Sequence, residues 1–234
     1  DSSPSRGLGD VYKRQGASYA GEGGAGASGP SGISYGKGNL ELLLGGSGGG
    51  FGNLGEAAAG GGALEIIASG KVFIAEGKTI AMNGGSVFVN PSVGANFSGG
   101  AGSGGAIRIV GASIENKGIL EAKGGNASGM HPGEAGARFL TNSGGAGGGG
   151  RIALIADGSI EKGSIHLDGG LGNGDGSGGK PGALFVAART MTSPIDLVLN
   201  SGNLVFDTEG SWYHSSGLRA VSYTHLTLPT TYHV

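Results

Sequence analysis

The stretch Gly61-Gly62-Ala63-Leu64-Glu65-Ile66-Ile67 ends a glycine-rich run and begins an apolar strand, and it decides the fold. Self-similarity at a spacing of tens of residues is the signature of a repeat architecture, in which each unit buries its apolar face against its neighbours. Three later stretches align with this one: Gly105-Ala106-Ile107-Arg108-Ile109-Val110, Gly150-Arg151-Ile152-Ala153-Leu154-Ile155 and Gly182-Ala183-Leu184-Phe185-Val186-Ala187. The chain is therefore expected to stack four similar units.

Within these strands, aliphatic residues alternate with residues of mixed character. Side chains two residues apart on a strand share a face. The expected inward sites are Leu64, Ile107, Ile152 and Leu184, followed two residues on by Ile66, Ile109, Leu154 and Val186. The intervening outward column holds Glu65, Arg108, Ala153 and Phe185. This contrast predicts one face that is buried in every turn and one face that is not.

A second strand aligns in the same way and ends at a glycine pair or its equivalent. Its inward sites are Ile80, Leu120, Ile165 and Leu197, then Met82, Ala122, Leu167 and Leu199. The outward column that follows holds Asn83, Lys123, Asp168 and Asn200. A shorter apolar piece lies between the two strands, near Val72 to Ile74, Ile114, Ile160 and Met191. Each unit is thus predicted to contain about three short strands.

These patterns predict an all-β fold, a parallel β-helix (solenoid) of about four or five turns. Strand content stays constant while the glycine-rich segments vary in length, which favours excursions from one corner of the coil over a β-sandwich with regularly spaced turns. The excursions span 45–62, 84–105, 124–150 and 169–182. They are expected either to pack as extended polyproline-II-like strands bonded through their backbones or to form mobile loops.

Composition narrows the class of protein. Glycine accounts for 57 of 234 residues, but the phased aliphatic strands oppose a disordered chain. The net charge of −2 provides no basic field for nucleic acid, so no nucleic-acid partner is expected. The chain has no cysteine, which excludes disulfides and cysteine-ligated metals. No run approaches the roughly 18 apolar residues of a membrane helix.

Both ends of the chain depart from the repeat pattern. Residues 1–15 and 221–234 resemble translated sequencing-adapter read-through, as found at the ends of reading frames from environmental DNA, and such scars are left out of fold reasoning. The alternative is an ordinary pair of disordered termini. Residues 16–220 are expected to be the glycine-rich β-helix segment, an internal fragment of a longer protein.

Short motifs in the chain resemble catalytic or metal-binding signatures, but none predicts a site. Gly45-Gly46-Ser47-Gly48-Gly49 fits the G-x-S-x-G elbow without its helix or partners, and Gly77-Lys78-Thr79 lacks the first glycine of a phosphate-binding loop. The segment 169–175 approaches a calcium nonapeptide with one inserted residue. Asp168, Asn173 and Asp175 could supply some of its oxygens, although a plain turn is favoured.

The histidines of the natural segment are also expected to be surface residues. His166 occupies an outward site, while His131 and His214 have no partner at metal-ligand spacing. No catalytic, cofactor-binding or metal-ligating residue is therefore assigned, and no cofactor is expected.

Several stretches resemble a known family of repeats. They are Gly104-Gly105-Ala106-Ile107-Arg108-Ile109, Gly118-Ile119-Leu120-Glu121-Ala122-Lys123-Gly124-Gly125 and Gly148-Gly149-Gly150-Arg151-Ile152-Ala153-Leu154. They resemble the glycine-rich β-helix repeats of large bacterial surface and secreted proteins, over roughly 16–205. The resemblance implies an extracellular or cell-surface setting and a role as stalk, adhesin segment or scaffold. It implies no catalytic residues.

Three function classes follow. The first is a non-enzymatic structural or adhesive segment, with surface polysaccharide or cell-envelope components as partners. The second is a carbohydrate-interacting β-helix, such as a lyase or glycosidase, which would need carboxylates or a base converging on one face. The outward columns do not predict such a cluster. The third is binding to ice or another crystalline surface, for which no Thr-x-Thr ladder is found.

Overall fold

The computed structural model describes residues 14–26, 30–52, 57–88, 99–128, 144–161, 163–172, 176–191, 202–206 and 212–216. None of these residues lies in a helix. In chain order the strands are β1 Ala63–Ile67, β2 Lys71–Ile74, β3 Thr79–Ala81, β4 Val87–Phe88, β5 Ala106–Gly111, β6 Ser113–Asn116, β7 Ile119–Glu121, β8 Ala127–Ser128, β9 Arg151–Glu161, β10 Ser164–His166, β11 Ala183–Met191, β12 Gly202–Phe206 and β13 Trp212–Ser216. The described part of the chain is therefore all-β.

The strands that follow the glycine runs pair side by side and in parallel. β1 pairs with β5, β5 pairs with the first half of β9, and β9 pairs with β11. The predicted alignment is confirmed, because the register places the first inward residues opposite one another in the order Leu64, Ile107, Ile152, Leu184. The residues two positions on align equally, in the order Ile66, Ile109, Leu154, Val186.

The shorter apolar pieces form a second ladder that continues from the first. β2 pairs with β6, and β6 pairs with the second half of β9, which is long enough to belong to both ladders. The register aligns Val72, Ile114, Ile160 and Met191, as predicted. Backbone bonds from Ala112 N to Gly70 O and from Gly158 N to Ala112 O join the ladders at the bend.

A separate parallel sheet, in the order β10-β7-β3, contains the third strand of each unit. It aligns Ile80, Leu120 and Ile165. The predicted fourth members, Leu197 and Asn200, lie outside the described residues. Two small sheets remain: the parallel pair β4-β8 and the antiparallel pair β12-β13.

The core lies between these sheets and consists of the inward aliphatic side chains. Ile107, Leu120 and Ile152 are fully buried because each has an equivalent strand on both sides. Leu64 and Ile66 are only half-buried, since β1 has a paired strand on one side only in the described structure. Burying one such side chain contributes roughly 1.5–3 kcal/mol.

The outward face of the first ladder is partly covered, which differs from the sequence-based expectation. Tyr19 and Leu40 pack against Ala153 and Phe185, leaving Phe185 only 7% exposed. The Arg151 guanidinium lies 5.4 Å from the centre of the Tyr19 ring. Burial raises the pKa of Tyr19 to about 12. The segment that precedes the repeats thus provides a second apolar layer.

The glycine-rich segments are joined by backbone hydrogen bonds with a period of three residues. Gly100, Ala101 and Gly102 donate to three different segments, at Gly50, Gly145 and Gly85. The next three residues repeat the pattern, since Ser103, Gly104 and Gly105 donate to Ser47, Gly148 and Met82. Three residues per turn is the period of a polyproline-II helix. Of the two expectations for the excursions, backbone-bonded packing holds for their described parts.

Glycine is required in this packing because the backbones approach closely. A Cβ on Gly147 would lie 1.8 Å from the carbonyl oxygen of Gly102. The segment 144–150 is buried throughout. Arg14 and Gln15, which the sequence analysis places in the range 1–15, also take part, because their carbonyl oxygens accept from Gly145 N and Gly50 N.

Candidate functional site

A groove of about 640 Å³ lies where the third strand of each unit runs into its glycine segment. One row of side chains along it comprises Asn83, Lys123 and Asp168, and a second row, three residues further on, comprises Ser86, Asn126 and Leu171. Glycines and a proline complete the lining: Gly84, Gly124, Gly169, Gly170, Gly178, Gly179 and Pro181. The groove thus contains the described part of the second outward column predicted from the sequence.

Parallel backbone pairing puts these side chains in rows. Gly84 N donates to Lys123 O at 2.8 Å, and Val87 N donates to Asn126 O at 2.9 Å. The next pair of segments repeats the arrangement, with Gly124 N bonded to Asp168 O at 2.8 Å. Because the bonds recur every three residues, side chains three residues apart point the same way.

Polar side chains of one unit hold the backbone of the next. Asn83 Oδ1 accepts from Lys123 N at 2.8 Å, and Ser86 Oγ accepts from Asn126 N at 2.9 Å. Asn126 Oδ1 in turn accepts from Leu171 N at 2.8 Å. These side chains therefore have a structural role, which is to satisfy backbone donors between adjacent units.

Glu121, at the end of β7, contacts two side chains of the first row. Its carboxylate accepts from Lys123 Nζ at 2.8 Å and from Asn83 Nδ2 at 2.9 Å. Partial burial raises the pKa of Glu121, but the hydrogen bonds from Lys123 and Asn83 and the nearby positive charge outweigh it, so that the pKa lies below its usual value. Glu121 is therefore ionised at neutral pH.

His166 and Asp168 stand beside this network on the next unit. Register places His166 opposite Glu121, and His166 Nδ1 lies 4.0 Å from Asp168 Oδ2. Sequence reasoning noted His166 and Asp168 separately but missed Glu121. A signal for Glu121 is present in the sequence. Glu121 stands two residues before Lys123, as His166 stands two residues before Asp168, and residues two apart on a strand share a face.

Among the described residues, no group of three or more histidine, aspartate or glutamate side chains could hold a metal ion. Asn173 and Asp175 of the considered calcium segment lie outside the described residues. His131 does as well, and the side chain of His214 is not described.

The other sequence motifs have structural surroundings. Ser47 Oγ lies 2.7 Å from the Tyr35 hydroxyl, and Ser47 N donates to Ser103 Oγ, within the glycine packing. Gly77 has a φ of 69° in a turn where Lys78 N donates to Ala75 O. Neither segment has the strand-turn-helix context that its motif requires.

The electrostatics of Glu121 do not suit the role of a general acid. A general acid needs a carboxyl whose pKa is raised, whereas the pKa of Glu121 is lowered. No helix in the described part of the chain has the length and apolar character to cross a membrane.

The chain matches no protein-family model, no curated protein and no solved structure.

Proposed function

We propose that this chain is a non-enzymatic structural or adhesive segment of a larger extracellular or cell-surface protein. In this proposal the parallel strands form a β-helix of about four turns, and the glycine-rich excursions pack beside one corner. One observation carries the proposal. The side-chain oxygens of Asn83, Ser86 and Asn126 each accept a hydrogen bond from a backbone N–H of the next unit. Polar side chains on the outward face serve the stacking itself.

The strand pairing supports the solenoid part of the proposal. Each of the three strand types pairs with its equivalent in the next unit, and the aliphatic register is maintained in all three. Ile107, which has equivalent strands on both sides, is fully buried, whereas Leu64 is half-buried. Such units are stable stacked rather than singly. The resemblance to bacterial surface repeats agrees with this architecture.

The electrostatics of the groove support a non-enzymatic role. Glu121 is engaged with two partners and is held ionised, which suits a structural ion pair. On the second ladder, Lys71 and Lys117 both pair with Glu115 and lie near the Phe73 ring. Lys71 and Glu115 thus pair across neighbouring strands, as do Arg108 and Glu65.

A carbohydrate-interacting β-helix is the second candidate, and the groove is the observation that favours it. A catalytic version would use Glu121 or Asp168 against a bound glycan. The catalytic version is tested by incubating the full chain with a panel of neutral and acidic polysaccharides. New reducing ends and the ultraviolet absorbance of unsaturated uronates would be followed.

We expect neither product to accumulate above the level of a Glu121→Gln control. Cleavage that disappears in the Glu121→Gln variant, while that variant keeps its thermal unfolding transition, would refute the non-enzymatic proposal.

A further inference from the structure

We infer that the groove binds a neutral linear polysaccharide, which lies across the successive units. This inference deepens the proposed adhesive function and rests on it. It concerns which ligand the segment contacts and where, and it assigns the groove side chains a second role beside their structural one.

The shape of the groove suits an extended polymer. Its lining comes from four neighbouring segments, around Asn83, Lys123, Asp168 and Gly178. Neighbouring strands are about 4.8 Å apart, so the groove extends roughly 15 Å across the segments. In each of the first three segments, glycines lie between the residues of the two rows. A polymer that runs along this direction would meet a similar backbone surface in each unit.

Hydrogen-bonding capacity remains after the structural bonds are made. Within the described residues, the Nδ2 group of Asn126 donates to no acceptor, because its amide is used only through Oδ1. Ser86 likewise uses its oxygen as an acceptor and keeps its hydroxyl hydrogen. The Asp168 carboxylate is half exposed and accepts no hydrogen bond from the described residues. Donors and acceptors that alternate along a groove suit the hydroxyl groups of a sugar chain.

The charge of the groove favours a neutral glycan. The ammonium group of Lys123 is offset by the Glu121 carboxylate at 2.8 Å. Among the lining residues, Asp168 then carries the charge that remains, which is negative. Polyuronates, sulfated glycans and nucleic acids would be repelled, because like charges disfavour association. Leu171, which is 73% exposed, offers an apolar edge for the face of a sugar ring.

The test is affinity electrophoresis of the full chain in gels that contain glucan, mannan or xylan, with alginate and polygalacturonate as anionic probes. The blocking variant is Gly178→Tyr, because a Cβ at Gly178 meets its nearest atom at 3.4 Å, an ordinary contact at the groove. The matched control is Gly70→Tyr, since a Cβ at Gly70 meets nothing within 4 Å and the residue lies outside the groove.

We expect at least one neutral polysaccharide to retard the wild type. Gly178→Tyr should weaken this affinity about tenfold or more, and Gly70→Tyr should change it less than about twofold. A second variant, Asn126→Asp, keeps the acceptor for Leu171 N and replaces the free donor with a carboxylate. Asn126→Asp should also weaken the affinity for the neutral polysaccharide. This second variant keeps the test decisive if Gly178→Tyr fails to fold.

Retardation by anionic probes alone, or by no polysaccharide, would overturn the inference. Equal affinity of Gly178→Tyr and Gly70→Tyr would also overturn it, because the contact would then lie elsewhere. Each of these outcomes leaves the non-enzymatic proposal standing, since that proposal fails only if the chain cleaves a polysaccharide.

Discussion

Replacing Gly147 with alanine is expected to destabilise the protein more than any ordinary surface substitution. Gly147 lies in the buried segment 144–150, and a Cβ there would be 1.8 Å from Gly102 O. Real Cβ contacts are essentially never shorter than 3.0 Å, so one segment must move by at least about 1 Å. The bonds from Gly147 N to Gly125 O at 2.9 Å and from Gly170 N to Gly147 O at 2.8 Å would then be stretched beyond bonding distance.

The magnitude follows from these two effects. Overpacking a close-packed site costs about 1–3 kcal/mol. Leaving buried backbone groups unpaired costs about 1–3 kcal/mol for each group. With one group of each broken bond left unpaired, we therefore expect a loss of about 3–9 kcal/mol in the free energy of unfolding, which is comparable to the roughly 5–15 kcal/mol typical of a folded domain.

Urea unfolding of the full chain, followed by circular dichroism, would measure this loss. The matched control is Gly70→Ala, whose Cβ would meet nothing within 4 Å. It should be neutral or stabilising by up to about 1 kcal/mol, because alanine restricts the unfolded chain. If Gly147→Ala unfolds within about 0.5 kcal/mol of Gly70→Ala, the close backbone packing of the glycine segments is refuted.

Three further predictions test the fold and its charges. Amide hydrogens of 144–150 should exchange slowly by mass spectrometry, because most of them are bonded and the segment is buried; free exchange would remove the backbone-bonded packing. Ile107→Ala should lower the free energy of unfolding by about 2–5 kcal/mol, whereas Ile67→Ala, at a side chain 67% exposed, should change it by less than about 0.5 kcal/mol in the same urea titration. Because the folded pKa of Glu121 is below its ordinary value of 4.5, its stabilisation is present above about pH 4.5 and is lost as pH falls through the folded pKa. Glu121→Gln should therefore show a smaller fall in melting temperature between about pH 6 and pH 3 than the wild type, and an equal fall would contradict the ion-pair account.

Much of the strand pairing could be predicted from the sequence. Alignment of Leu64 with Ile107, and of Ile80 with Leu120, follows from residue classes that recur at equivalent sites. A period of two separates inward from outward positions, and a one-residue slip would expose the whole aliphatic column. The alternating pattern is therefore sufficient to predict the register of these strands.

The candidate site could be predicted only in part. The sequence pattern predicts Asn83, Lys123 and Asp168 as one outward column, but it does not predict the engagement of Asn83 and Lys123 with Glu121. A hydrogen bond between residues 38 positions apart, as between Asn83 and Glu121, depends on how far one unit is offset from the next. Residue type alone does not give that offset. The two-residue spacing of Glu121 and Lys123 indicates only that their side chains share a face.

The sequence alone determined which side chains face inward and which strands are neighbours, because burial of apolar surface selects one phase of an alternating pattern. Tertiary structure alone decided which outward positions are covered: Ala153 and Phe185 are buried because Tyr19 and Leu40, from a distant segment, lie over them. It also decided the state of the glycine segments. A glycine run has the same composition whether it is mobile or packed, and only the approach of other backbones provides the hydrogen bonds that offset its conformational entropy.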